Sequence, residues 1–366
     1  MERSEKISGT QLSLLLFSFI APTLILVIPG LMAKYSMQDA WITIFPMFIT
    51  GALSIWLIVL LSNRYPGMTI IEYSSQIIGK IPGKILGCYL LFYWVNFDFI
   101  ILNQHIQFIN TVLLHRSPAI VISLTLAILC GIAAYMGIES IARTNEFLSF
   151  FIFFVLCPLI ILMLMESDPE RLRPILSKGI IPVLQASIFP SAYTSQVFIL
   201  GWLLPFLNHP KKAMKASTFA LFAITGLFIV TVFPLFMIFG PLTDRLTFPV
   251  LSVLQYIGLK GSFERLEAIG VVIWVMGCFV KISLTFFIMC LSITQIFDIK
   301  NYRELIIPIT VLSVIGSVTV FKNYSTDLNH YLEYTYPFYA SFTHLLIPLA
   351  LLMIDTLKKS WKKSVL

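Results

Sequence analysis

The sequence has 366 residues, 58% of them hydrophobic and 12% charged, with a net charge of +7. Soluble domains carry about 25% charged residues, so the composition excludes an ordinary soluble enzyme and indicates an integral membrane protein with no stretch left for a sizeable soluble domain. The basic residues lie between apolar runs and in the tail, at Lys358, Lys359, Lys362 and Lys363, which is a topology signal and not a nucleic-acid patch.

The N-terminal "MERSEKISGTQ" mixes both signs of charge and leads, without a small-residue cleavage site, into a retained first span. Span one, Leu12–Met32, has 21 residues and no charge, yet Pro22 falls near its middle. Proline cannot donate the backbone bond a helix needs there, so a break is expected. Span two follows at about Trp41–Leu61.

Span three, about Ile85–Leu114, is polar on two sides. At 100° per residue Asn96, Asn103, Gln107 and Asn110 share a sector of about 60°, with Asp98 and His105 opposite. Such a helix is expected to sit centrally, with Asp98 as a counter-charge or a group paired for folding. Span four is about Ala119–Tyr135. "GIESIARTNEF" then places Glu139, Arg143 and Glu146 on one side of a helix, a boundary ion-pair set. Span five is about Phe147–Met165.

Two long loops follow spans five and seven, about Glu166–Ala186 and Gly240–Glu267. Their apolar pieces "IIPVLQASI" and "FPVLSVLQYIG" are expected to lie flat on the surface. Span six, about Ser187–Phe206, opens with Phe189-Pro190-Ser191-Ala192, so the first span of each half carries a proline. Matching interruptions in five-plus-five halves predict an inverted-repeat transporter architecture with its site at the breaks. Freed amide and carbonyl groups there suit a small zwitterion or a cation.

Span seven is about Ala216–Phe239 and span eight about Ala268–Phe297. Lys281 sits at the centre of span eight, too deep to snorkel, with Thr285 one turn along the same face. It is expected to carry a titratable proton, to replace a bound sodium ion, or to form a static pair with Asp98 or with a set of carbonyls. Spans nine and ten are about Leu305–Phe321 and Tyr336–Ile354. One domain, residues 1–366, therefore holds repeat one at about 10–165 and repeat two at about 187–355.

Fifteen Lys and Arg fall on the side of both termini and nine on the other, which places the termini in the cytoplasm. The five cysteines lie within apolar spans without a CxxC pair, and the histidines lack ligand spacing, so neither disulfides nor a metal site is expected. No phosphate-cradling glycine loop, paired catalytic carboxylates or nucleophile arrangement is present, and the chain reads as a non-enzyme without cofactors.

Several segments together resemble the B-subunit family of spore germination (nutrient germinant) receptors. They are "ISGTQ", "PGMTIIEYSSQIIGKIPGKILG", "GIESIAR", "RLRPILSKGIIPVL", "FPVLSVLQYI" and "FERLEAIGVVIWVMGCFVKIS". The resemblance implies an all-α, LeuT-like fold of the amino acid/polyamine/organocation transporter superfamily. It comprises ten transmembrane helices in two inverted five-helix repeats, with spans one and six broken. It also implies residence in the spore inner membrane and assembly with an A subunit and a lipoprotein C subunit. The B subunit of that family is regarded as the sensor of a nutrient such as an amino acid or sugar. Relatives commonly carry a glycine pair before the position of Ile28-Pro29, where this chain has Pro22-Thr23-Leu24, so the pocket here is tighter or more apolar.

The expected ligand site combines Ala21, Pro22, Thr23, Asn96, Phe97, Phe189, Ser191, Ser283 and Thr285 with an electrostatic pair, Lys281 and Asp98. The function expected is a germinant sensor signalling to partner subunits; the alternative is a proton-coupled amino acid transporter.

Overall fold

A computed structural model describes residues 5–260, 266–320 and 328–364. Residues Gly261–Arg265 of the "FERLEAIG" region, the expected end of span nine at Phe321, Lys322 and the first four residues lie outside the described part. The described chain is helical. α1 is Gly9–Ser36, α2 Ile44–Arg64, α3 Ile70–Ile78, α4 Lys80–Val112, α5 Ala119–Met136 and α6 Ile138–Met165. α7 is Ile181–Thr194, α8 Leu200–Leu203, α9 Ala213–Phe239 and α10 Pro249–Lys260. α11 is Leu266–Phe297, α12 Ile306–Thr319, α13 Tyr336–Ser341 and α14 Ile347–Ser364.

Among the described residues, eight helical runs are long and apolar enough to cross a membrane. The first, Gly9–Arg64, contains two crossings, α1 and α2, separated by the 3-10 turn Met37–Thr43. A further crossing, 181–206, is divided among short helices. Ten crossings result, as the apolar runs predict. "IIPVLQASI" is not a surface piece: it forms the start of α7 and moves that crossing back to Ile181. "FPVLSVLQYIG" does form a separate helix, α10, packed on α1, α6, α9 and α11.

The helices pack in two groups. α1, α2, α7 and α9 contact one another, as do α4, α5, α11 and α12. These are the first two and the third and fourth crossings of each half, the pattern of a repeated five-helix unit. α1 crosses α11 where the groups meet. Large apolar side chains such as Phe147, Phe150 and Phe154 on α6 stay exposed on the perimeter, as a hydrocarbon solvent requires.

Ends are fixed by polar contacts. The face carrying the N-terminus holds Arg64–Asp355 (2.6 Å), Lys84–Asp298 (2.8 Å) and Glu5–Arg303 (3.3 Å). On the opposite face Lys34 pairs with Glu333 (2.6 Å) and the Leu176 amide donates to Asp39 (3.0 Å). Of the boundary set in α6, Arg143 pairs with Glu139 (2.6 Å), whereas Glu146 accepts from Gln11 of α1 (3.1 Å). Gly137, at φ +95°, makes the reversal from α5 to α6, and the Glu5 carboxylate occupies the space its Cβ would need.

Reciprocal capping boxes start α1 (Ser8 with Gln11) and α3 (Thr69 with Glu72). The Thr69 hydroxyl also donates to Gln295 of α11 (2.7 Å). Thr69→Ala is expected to lower stability by about 1 kcal/mol, read as a lower melting temperature of the detergent-solubilised protein. Thr69→Ser should restore it, and an unchanged melt in the alanine variant would remove the cap from the account.

The expected break in span one is not found at Pro22. α1 runs unbroken from Gly9 to Ser36 with Pro22 and Pro29 inside it. The physical reason is the neighbour: the Pro22 ring packs where a Cβ on Gly277 of α11 would be. An intramembrane proline bends a helix instead of severing it when surrounding groups accommodate it. In span six, α7 likewise winds through Pro190 to Thr194. The interruption comes one turn later, where residues Ser195–Ile199 tighten to a 3-10 turn before α8. There the Ser54 hydroxyl of α2 donates to the Ser195 carbonyl (3.2 Å), satisfying irregular backbone from the side.

Candidate ligand site at the helix crossing

The interruption in the sixth crossing brings Gln196 beside α1 and α11. The Lys281 amine, fully buried, donates to Thr23 Oγ1 of α1 (2.7 Å) and to Gln196 Oε1 (2.9 Å). It also lies over the rings of Phe19 (4.8 Å) and Phe97 of α4 (5.1 Å), an arrangement that attracts a cation to π faces. Gln196 passes the connection on through Nε2 to Tyr336 Oη of α13 (2.6 Å). Thr285 donates to the Lys281 carbonyl (2.8 Å) and holds the turn that carries the amine. One side chain thus ties both helix groups together through neutral partners, and Lys281 makes no ion pair among the described residues.

The pairing expected between Lys281 and Asp98 is absent. Asp98 is fully buried and pairs with no cation among the described residues. It is flanked by Ser313 of α12 and Cys130 of α5. Asp98 and the amine therefore project to different sides of α4.

Of the expected site residues, Thr23, Phe97, Lys281 and Thr285 come together. Phe189 lies toward the opposite face, its ring 5.3 Å from Tyr35. Ser191 is half-buried on the same helix, its carbonyl accepting from Thr194 (3.2 Å). Ser283 is buried and donates to the Phe279 carbonyl (2.7 Å), which Cys130 also approaches. Asn96 stands apart: half-buried, it donates to its own helix at the Phe92 carbonyl (2.8 Å). Ala21 and Pro22 line a separate cavity, on the flank of α1 facing α6, α9, α10 and the outer part of α11. Sequence reasoning missed Phe19, Gln196 and Tyr336. The signal for Gln196 was available, as Ser195-Gln196 is a polar pair within an otherwise apolar run.

On the N-terminal face a second hollow of about 830 Å³ is lined by charged groups, among them Glu5, Lys6, Asp298, Lys300 and Arg303. A hydrogen bond from Lys84 holds the Asp298 carboxyl below the usual carboxylate range. Phe206 and Phe287 stand among its walls, their rings in edge contact at 5.5 Å. Deeper in the core Trp202 packs against Trp94 at 5.5 Å and donates to Ser292 (2.9 Å).

The family model described as "Spore germination protein" matches residues 6–325. The chain belongs to the spore germination protein family. Spore germination protein KB of Bacillus subtilis (strain 168) is 28% identical over 367 residues, covering 98% of this chain and 96% of that one. Spore germination protein YndE of the same organism is 24% identical, covering 81% and 83%. Among solved structures, Mhp1, a nucleobase-cation-symport-1 family transporter in a closed conformation with bromovinylhydantoin bound, superposes with a TM-score of 0.68 at 14% identity. The match covers 90% of this chain and 74% of that one. MhsT in complex with L-phenylalanine gives 0.66 at 12% identity, covering 96% and 99%. This spore germination family member is accordingly a multi-pass membrane protein with the LeuT-type transporter fold, and its family and fold neighbours are permease-like proteins.

Proposed function

We propose that the protein is the nutrient-sensing subunit of a spore germination receptor, binding a small amino acid or sugar at the crossing of α1, α11 and the interrupted sixth crossing. The observation that carries this reading is the Lys281 amine, buried where the two helix groups meet and held, among the described residues, by Thr23, Gln196 and aromatic faces. A carboxylate or hydroxyl of a ligand competes directly for that amine. Exchanging partners there loosens or tightens α1 against α11, and a ligand shifts such an equilibrium by its differential affinity for the two arrangements. The basic-residue bias puts both termini in the cytoplasm, in the spore inner membrane. The A subunit and the lipoprotein C subunit implied by the family resemblance would receive the bias. Asp98, Ser283, Phe189 and Ser191 do not touch the amine and are proposed only as residues that couple or cover the site in another arrangement of the bundle.

The second reading, a proton-coupled amino acid transporter, is favoured by the charged hollow on the N-terminal face, which supplies half of a transport route. Reconstitution separates them. The protein in proteoliposomes, offered labelled amino acids and sugars one at a time, is expected to bind one of them saturably without sustained accumulation. Accumulation driven by an imposed proton gradient would establish the transporter reading instead. Spores lacking the gene and complemented with Thr23→Val should need a different nutrient concentration for half response; an unchanged dose curve removes Thr23 from the site.

A further inference from the structure

The apolar interior is divided. One buried cluster includes Phe17, Ala21, Phe108 and Trp274; a second, with Leu159, Met163, Leu235 and Leu254, joins α6, α9, α10 and the start of α11. The cavity bordered by Ala21 and Pro22 lies along the boundary between them, with members of both clusters in its wall. Its volume is about 100 Å³. An engineered cavity of about 150 Å³ lined by apolar side chains stays dry and takes up benzene. The space here therefore suits a few hydrocarbon groups and no head group.

We propose that this seam is a hydrocarbon-binding site, occupied in the bilayer by the end of a lipid acyl chain. Three observations carry it. The first is chemical. Two hydroxyls lie on the wall, and both are engaged: Thr231 donates to the Leu227 and Phe228 carbonyls of its own helix (2.8 and 3.2 Å), and Ser18 meets Ser149 (3.5 Å). The indole N–H of Trp274 is an unspent donor. No lining residue carries a charge. A single neutral N–H cannot replace the hydration of a zwitterion, whereas hydrocarbon asks for none.

The second observation is access. Leu156 and Ile160 of α6 line the cavity and are half-buried, while Phe153, Phe154, Cys157 and Ile161 beside them are exposed on the perimeter. The wall toward lipid is thus one helix thick, and Pro158 within it donates no backbone hydrogen bond. The third is energetic. Atoms lining an unfilled void forgo dispersion contacts, and hydrocarbon is the medium against the outer side of this wall. A chain end seated there fills the boundary between the two clusters and bears on α1 at Ala21 and Pro22, next to Thr23. The inference does not depend on the sensor reading, and a protein that binds no nutrient can still hold the chain.

The test uses the full-length protein in lipid nanodiscs of phosphatidylcholine with or without bromine on its acyl chains. The fluorescence belonging to Trp274 is obtained as wild type minus Trp274→Phe. Brominated chains are expected to reduce that share about twofold or more. Leu156→Phe and Ile160→Phe, made separately so that a misfolded one can be set aside by its melt, should each remove most of the reduction. Equal quenching in wild type and in both well-folded plugged variants would show boundary contact alone and overturn the proposal, as would no quenching at all. Quenching by brominated hexanol but not by brominated lipid would assign the cavity to free aliphatic molecules and overturn the acyl-chain assignment.

Discussion

Lys281→Met raises the nutrient concentration for half-maximal germination by about tenfold or more while the protein still accumulates in the membrane. Methionine keeps an unbranched side chain of similar reach, so packing against Phe19 and Phe97 is largely preserved. What is lost is the amine and its two hydrogen bonds, to Thr23 and Gln196. Hydrogen bonds to a charged group contribute about 1.5–3 kcal/mol, and 1.4 kcal/mol is tenfold in an equilibrium constant. A double-mutant cycle with Gln196→Leu should return a coupling of about that size. Gln196 keeps its bond to Tyr336 in the single variant, so the cycle isolates the contact with the amine. A wild-type dose response in Lys281→Met would retire this amine as the ligand-competing group.

The second large effect is expected at a residue with no side chain. A Cβ at Gly277 falls on the Pro22 ring, and a proline ring has few ways to move aside. Gly277→Ala should therefore separate α1 from α11 and cost about 1–3 kcal/mol by overpacking, seen as a lower melting temperature. Because Cys278 and Lys281 follow on the same helix, nutrient response should weaken in parallel. Pro22→Ala, combined with Gly277→Ala, is expected to recover part of the lost stability, the non-additivity that contacting residues show. If the single variant melts like wild type, the close approach of α1 and α11 at Gly277 does not contribute to stability.

The crossings were legible because each is a long apolar run, charged inside only at Asp98 and Lys281, and span count survived even where boundaries moved. That α1 would run on through Pro22 was not legible, since a proline's effect depends on what packs beside it. Here that is Gly277, far away in the chain and meaningful only once α1 and α11 cross. Lys281 stood out as a lone cation in an apolar span, and Thr23 was reachable from its place beside Pro22. Its pairing with Asp98 misled because helical periodicity orders residues around α4 without saying which sector faces α11. Asn96 shows the converse limit: an amide that bonds its own helix at Phe92 needs no interior partner, so its polarity carries no positional information. Gln196 was not legible because the helix winds on through Pro190 and is interrupted only after Thr194.

The charged hollow on the N-terminal face has an electrical corollary. A recess of about 830 Å³ lined by acidic and basic side chains admits water and mobile ions, so the low-dielectric layer beneath it is thinner than the full membrane. The transmembrane voltage then drops steeply across the aromatic stratum of Phe206, Phe287 and Trp202 instead of evenly over thirty-odd ångströms of lipid, roughly the usual core thickness. A full elementary charge carried across that stratum would exchange about 2.3 kcal/mol with the field per 100 mV. Polarisation of the membrane and occupancy at the helix crossing would then act on the same narrow slab of protein.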